Sequence, residues 1–91
     1  MKATVIDEKD NVAVVLGAVK AGEEITWVKG GAPFTAPALR DVPVYHKIAT
    51  AQIPKGQPVV KYGEHIGIAA EDIQVGDYVH VHNVLNNREE L

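Results

Sequence analysis

Cysteine and serine are both absent from this 91-residue chain. Disulfides, thiolate metal sites, cysteine nucleophiles and serine nucleophiles are therefore excluded. Aromatics are few, with one Trp, one Phe and three Tyr, so the expected core is built mainly from Val, Ile, Leu and Ala. No apolar run approaches the roughly 20 residues of a membrane-spanning helix. The opening Met1-Lys2-Ala3-Thr4-Val5-Ile6-Asp7 turns polar too early for a signal peptide. Nor is there a concentration of one charge sign: 23% of residues are charged and the net charge is -3. Nucleic-acid binders usually show a basic face, and no Lys/Arg cluster supplies one here. No Gly-rich phosphate loop precedes a helix. The expectation is a cytoplasmic chain with no membrane and no nucleic-acid partner. A chain of this length has room for one core, so residues 1–91 are read as a single domain.

What is present is a series of short β-branched runs separated by Gly, Asp, Asn and Pro, with little helical periodicity. Strands are expected over 4–6 and 12–16, joined as a hairpin across the polar stretch 7–11. Residues 24–28 and 32–36 should pair across Lys29-Gly30-Gly31, where positive φ costs glycine little. The segment 36–45 holds two prolines and suits an irregular connection or an edge strand. Further strands are expected over 47–51, 58–62, 65–69 and 77–82. Residues 70–73 are the best helical candidate, at most one turn. The end of the chain, 84–91, is polar and is expected to be a flexible tail.

One pattern recurs: Val19-x-x-Gly22-x-x-Ile25, Ile53-x-x-Gly56-x-x-Val59 and Ile73-x-x-Gly76-x-x-Val79. It reads as a tight turn in which an apolar anchor docks in the core, a left-handed glycine reverses the chain, and a strand follows. The unequal separations rule out a solenoid.

Four histidines are the main candidates for chemistry: His46, His65, His80 and His82. In an extended strand His80 and His82 would point to one face, with Cα atoms about 6.5 Å apart. Two imidazoles so placed suit one metal ion or one anion, and Asn83 adds an amide at the strand's end. The ordinary alternative is a pair of polar strand-face histidines. His46 with Lys47 sets an imidazole beside a fixed cation, a pair suited to a carboxylate; the alternative is a solvated lysine and a loop-bonding histidine. His65 alternates with Ile66 and is expected to face solvent. Glu23-Glu24, Glu71-Asp72 and Glu89-Glu90 are adjacent pairs that would face opposite ways in a strand, so they read as solvated surface. No complete catalytic set emerges.

The ordered series of motifs is more specific than any one of them. It runs through His46-Lys47-Ile48-Ala49, Ile53-Pro54-Lys55-Gly56, Val59-Val60-Lys61-Tyr62-Gly63 and Ile66-Gly67-Ile68-Ala69. It ends with Ile73-Gln74-Val75-Gly76-Asp77-Tyr78-Val79-His80-Val81-His82-Asn83. With Asp7 and Asp10-Asn11-Val12-Ala13-Val14 near the start, this series resembles the amino-terminal SAF domain of the altronate/galactarate dehydratase family. The resemblance implies a mainly β, β-clip (SAF-like) fold. It also implies a small subunit of a hydro-lyase, contributing to a composite active site with a large dehydratase-type subunit. Water, or sulfite in the similar sulfolactate sulfo-lyase small subunit, would leave a sugar acid or sulfolactate-like 2-hydroxy acid. A divalent metal, iron or similar, is implied for the assembled enzyme.

By the same resemblance, His46, Lys47 and Asn83 would bind substrate, and His80 and His82 would serve the metal. The position before His46, commonly glycine in the family, is Tyr45 here. A non-catalytic carbohydrate-acid-binding or regulatory module is the competing reading, and a homo-oligomer is compatible with either. Only four Thr, scattered along the chain, argue against an ice-binding surface.

Overall fold

Short β-branched runs broken by Gly and Pro offer no stretch long enough to offset the cost of helix nucleation. The computed structural model describes residues 1–86, and no helix occurs among them. The strands are β1 (Ala3–Thr4), β2 (Val12–Val15), β3 (Glu24–Lys29), β4 (Ala32–Pro37), β5 (Lys47–Ala49), β6 (Pro58–Lys61), β7 (Glu64–Ala69), β8 (Tyr78–Val79) and β9 (Val84–Leu85). They form a central sheet in the order β1-β2-β5-β8, the hairpin β3-β4, and a smaller sheet β6-β7-β9. Every strand ladder is antiparallel. The expected mainly β fold holds.

The central sheet is apolar on both faces, and the cross-strand register sorts its residues into two cores. Ala3, Ala13, Val15 and Ile48 share one face with Trp27 and Ile25 of β3 and with Val19, Ala38 and Val42. Val12, Ala49 and Val79 share the other with Ile53, Val59, Ile66, Ala69, Ile73 and Val84. Alternation along three- and four-residue strands therefore serves two cores at once.

The recurring turn is real, and it occurs four times among the described residues. Gly22, Gly56 and Gly76 each have φ +87°. In each, the next residue's N–H bonds the carbonyl three positions back: Glu23 to Lys20, Gln57 to Pro54, and Asp77 to Gln74. This is the pattern of a type II turn, which needs positive φ at its third position. The fourth copy is Val42-x-x-Tyr45-x-x-Ile48: His46 N–H bonds the Pro43 carbonyl, and Tyr45 fills the glycine slot at φ +65°. The four anchors pair as two antiparallel bridges, Val19 with Val42 and Ile53 with Ile73. Strands β3, β5, β6 and β8 each begin two residues after the left-handed position.

Three expectations are corrected. Residues 70–73 form no helical turn, because Ile73 is an anchor that exchanges backbone bonds with Ile53, 2.9 Å each way. The strand expected over 77–82 stops at Val79, because the Asn83 side chain draws residues 80–83 into a turn. The expected tail starts too early: Val84 and Leu85 pair with Ala69 and Ile68, and Val84 is buried. The rest of that tail, from residue 87, and the Glu89-Glu90 pair lie outside the described residues.

Candidate functional site

Two turns bring three of the four histidines to one end of the central sheet. The 43–46 turn delivers His46 at the entrance to β5, and β8 releases the chain into the 80–83 turn with His80 and His82. Because β5 and β8 are antiparallel neighbours, with Lys47 opposite Val79 and Ile48 opposite Tyr78, the start of one lies beside the end of the other. His46 and His80 stand with ring centroids 4.9 Å apart.

Tyr78 is the hub of this cluster, and the motif reading passed over it. Its ring stacks on His80 at 5.4 Å and touches His46 at 5.6 Å and His82 at 5.3 Å. Its hydroxyl lies 2.6 Å from His46 Nδ1. Burial raises the Tyr78 pKa above the phenol's usual value of about 10, so the hydroxyl is protonated at neutral pH. It either donates to a bare Nδ1 or accepts from a protonated one, and each choice sets what the other ring nitrogen offers. No local pattern marks this role, because Tyr78 lies in β8 while His80 and His82 lie in the turn that follows it.

The other candidates have different surroundings. Lys47 is 2% exposed, and its register with Val14 and Val79 puts it on the face of the second core. His46 meets Tyr78, whose cross-strand partner Ile48 belongs to the first core, so His46 and Lys47 are not brought together. Asn83 is also 2% exposed, and both ends of its amide are spent on backbone. Its Oδ1 accepts from His80 N–H and its Nδ2 donates to the Tyr78 carbonyl, each at 2.9 Å. Its own N–H closes the turn on the His80 carbonyl at 3.1 Å. Asn83 thus aims the histidine-bearing turn. His65, on β7, is exposed as expected.

Among the described residues, no group of three or more His, Asp or Glu side chains is placed to hold an ion. His80 and His82 meet through Tyr78, in a turn rather than on one strand face. What the cluster provides is a set of imidazoles and a phenol able to exchange hydrogen bonds and protons with a polar ligand.

A family model described as the altronate/galactarate dehydratase SAF domain matches residues 1–87. The chain belongs to this family. As a SAF domain it is 40% identical over 82 residues to altronate dehydratase of Escherichia coli (strain K12), covering 90% of this chain and 16% of that protein. It is 33% identical over 86 residues to altronate dehydratase of Bacillus subtilis (strain 168), again spanning 16% of that protein. It is also 36% identical over 84 residues to (2R)-sulfolactate sulfo-lyase subunit alpha of Chromohalobacter salexigens, of which 88% is covered. The SAF domain thus spans about a sixth of the dehydratases and most of the sulfo-lyase subunit. No helix among its described residues is long and apolar enough to cross a membrane.

Proposed function

We propose that this SAF domain is the small subunit of a cytoplasmic lyase and that its imidazole cluster forms one wall of an active site completed by a larger, dehydratase-type polypeptide. The observation that supports this most directly is the meeting of His46, Tyr78, His80 and His82 at one end of a domain whose relatives are lyases. The substrate would be a small 2-hydroxy acid, of the altronate or galactarate type in the first instance. Elimination from such an acid needs a proton removed beside the carboxylate and a leaving group protonated on the next carbon. His46, oriented through Nδ1 by Tyr78, is suited to bind the acid or move a proton at its other nitrogen. His80 flanks it and His82 stands at the exposed rim. Asn83 holds the turn, and the larger polypeptide supplies the remaining groups. These include most of the donors to any divalent metal.

The sulfo-lyase reading, with sulfite rather than water leaving, rests on the similarity to the sulfo-lyase subunit. One experiment addresses both. The chain, purified with the larger polypeptide, is assayed with altronate, galactarate and (2R)-sulfolactate. Activity is expected on one of them, and His46→Ala and His80→Ala should each lower kcat/KM by about 10²–10⁴-fold, the usual scale of acid–base groups. Wild-type turnover in both variants would remove the cluster from the active site. Turnover undiminished without this chain would remove the subunit role.

A further inference from the structure

The end of the central sheet that bears the imidazoles also bears exposed apolar side chains. Leu16 follows β2 there, Val44 and Tyr45 form the turn into β5, and Val81 sits in the turn out of β8. Tyr45 N–H bonds the Val15 carbonyl and Val15 N–H bonds the His46 carbonyl, both at 2.9 Å, which ties the 43–46 turn to the end of β2. The His46–His80 contact ties it to the 80–83 turn. All four side chains are exposed, Tyr45 most of all at 70%.

Tyr45 is also the exception among the four turns. The other three place glycine at the left-handed position, whereas Tyr45 holds φ +65° with a β-carbon that crowds the backbone there. Its ring recovers little by packing within the chain. Tyr62, the other left-handed tyrosine, differs: it is at the opposite end of the sheet and has the Lys61 ammonium 5.0 Å from its ring centre. A strained backbone with an exposed aromatic ring beside a candidate site points to a contact outside this chain.

We propose that Leu16, Val44, Tyr45 and Val81 are the docking surface for the larger polypeptide, with Tyr45 as its anchor. This rests on the reading that a second polypeptide completes the site. The altronate dehydratases continue far beyond the matched domain, which is 16% of their length, so a larger body belongs beside it in those proteins. An apolar rim around imidazoles seats such a body directly over the cluster. A second copy of this chain would set histidines against histidines and add no new group. Tyrosine suits the anchor because it brings a large rigid contact area with few rotors to immobilise.

The test is a titration of the full chain with the dehydratase-type large polypeptide of the same genome, together with thermal melts of the chain alone. Tyr45→Gly should leave the isolated chain at least as stable as wild type while raising the Kd of pairing tenfold or more. Tyr62→Gly, at the other end of the sheet, should leave pairing unchanged. Tight pairing by Tyr45→Gly would overturn the proposal, and so would a wild-type chain that fails to pair. It would equally be overturned by a wild-type homodimer that Tyr45→Gly dissociates, since a second copy would then cover this surface. Pairing read by titration is independent of turnover. A complex that forms but has no lyase activity sinks the functional reading alone, and an active complex indifferent to Tyr45→Gly sinks the docking surface alone.

Discussion

At the scale of single residues, the buried polar groups explain the geometry better than the histidines do. Asn83 satisfies two backbone groups at the end of the edge strand β8, its amide oxygen accepting from His80 N–H and its amide nitrogen donating to the Tyr78 carbonyl. Asp10 does similar work at the other end of the sheet. Its carboxylate, wholly buried, accepts N–H bonds from Asp7 at 3.0 Å and Gly63 at 2.8 Å, and its carbonyl accepts from Lys29 Nζ at 2.7 Å. The tips of two hairpins are thereby fastened to one loop. Truncating such a group strands its partners without water. Asn83→Ala is expected to cost about 2–4 kcal/mol of stability, from two buried bonds lost and two backbone groups left unpaired. Urea unfolding measures it, and a loss under about 0.5 kcal/mol would mean that the 80–83 turn holds its shape without the side chain.

At the scale of elements, the unit of construction is the turn with its anchor and its strand. In every copy the left-handed residue donates its N–H to a carbonyl whose own residue bonds back to the following position. The partners are Ala38 for Gly22, Val15 for Tyr45, Ala69 for Gly56 and Ala49 for Gly76. The repeat therefore places strands as well as turns. Alanine at Gly22, Gly56 or Gly76 should each cost about 1–2 kcal/mol for the left-handed backbone. Gly76→Ala should be the worst, because its methyl would run into the Pro37 carbonyl oxygen, whereas Gly22 and Gly56 face open space. Comparison of the three melting temperatures checks the order. Equal losses would show that the end of β4 at Pro37 yields freely. Three of the four units were legible in the sequence because glycine marks them. The fourth was hidden because Tyr45 occupies the marked position, and only its φ reveals the equivalence.

At the scale of the molecule, one sheet is shared by two cores. Trp27 belongs to the first and no tryptophan to the second. If the shared strands β2, β5 and β8 couple them, Trp27 fluorescence and far-UV circular dichroism should trace the same thermal transition. Transitions separated by more than a few degrees would show instead that the cores melt independently. The same sharing explains why the site lies where it does. A central strand with apolar residues on both faces leaves only its ends for polar chemistry, and the imidazoles occupy one of them.

The sequence by itself determined the class of fold, most strand positions, the three glycine turns and the histidines worth weighing. Those follow from local physics: period-two alternation, β-branching and the backbone freedom of glycine. Only the tertiary structure decided that Tyr78 joins His46 to His80 and that Lys47 faces a core. It also decided that Asn83 serves the backbone and that Val84 is buried. Each of these depends on strand register and on the end of the sheet at which a turn falls. Those are set by contacts such as His46 with Tyr78, 32 residues apart in sequence, which no local pattern records.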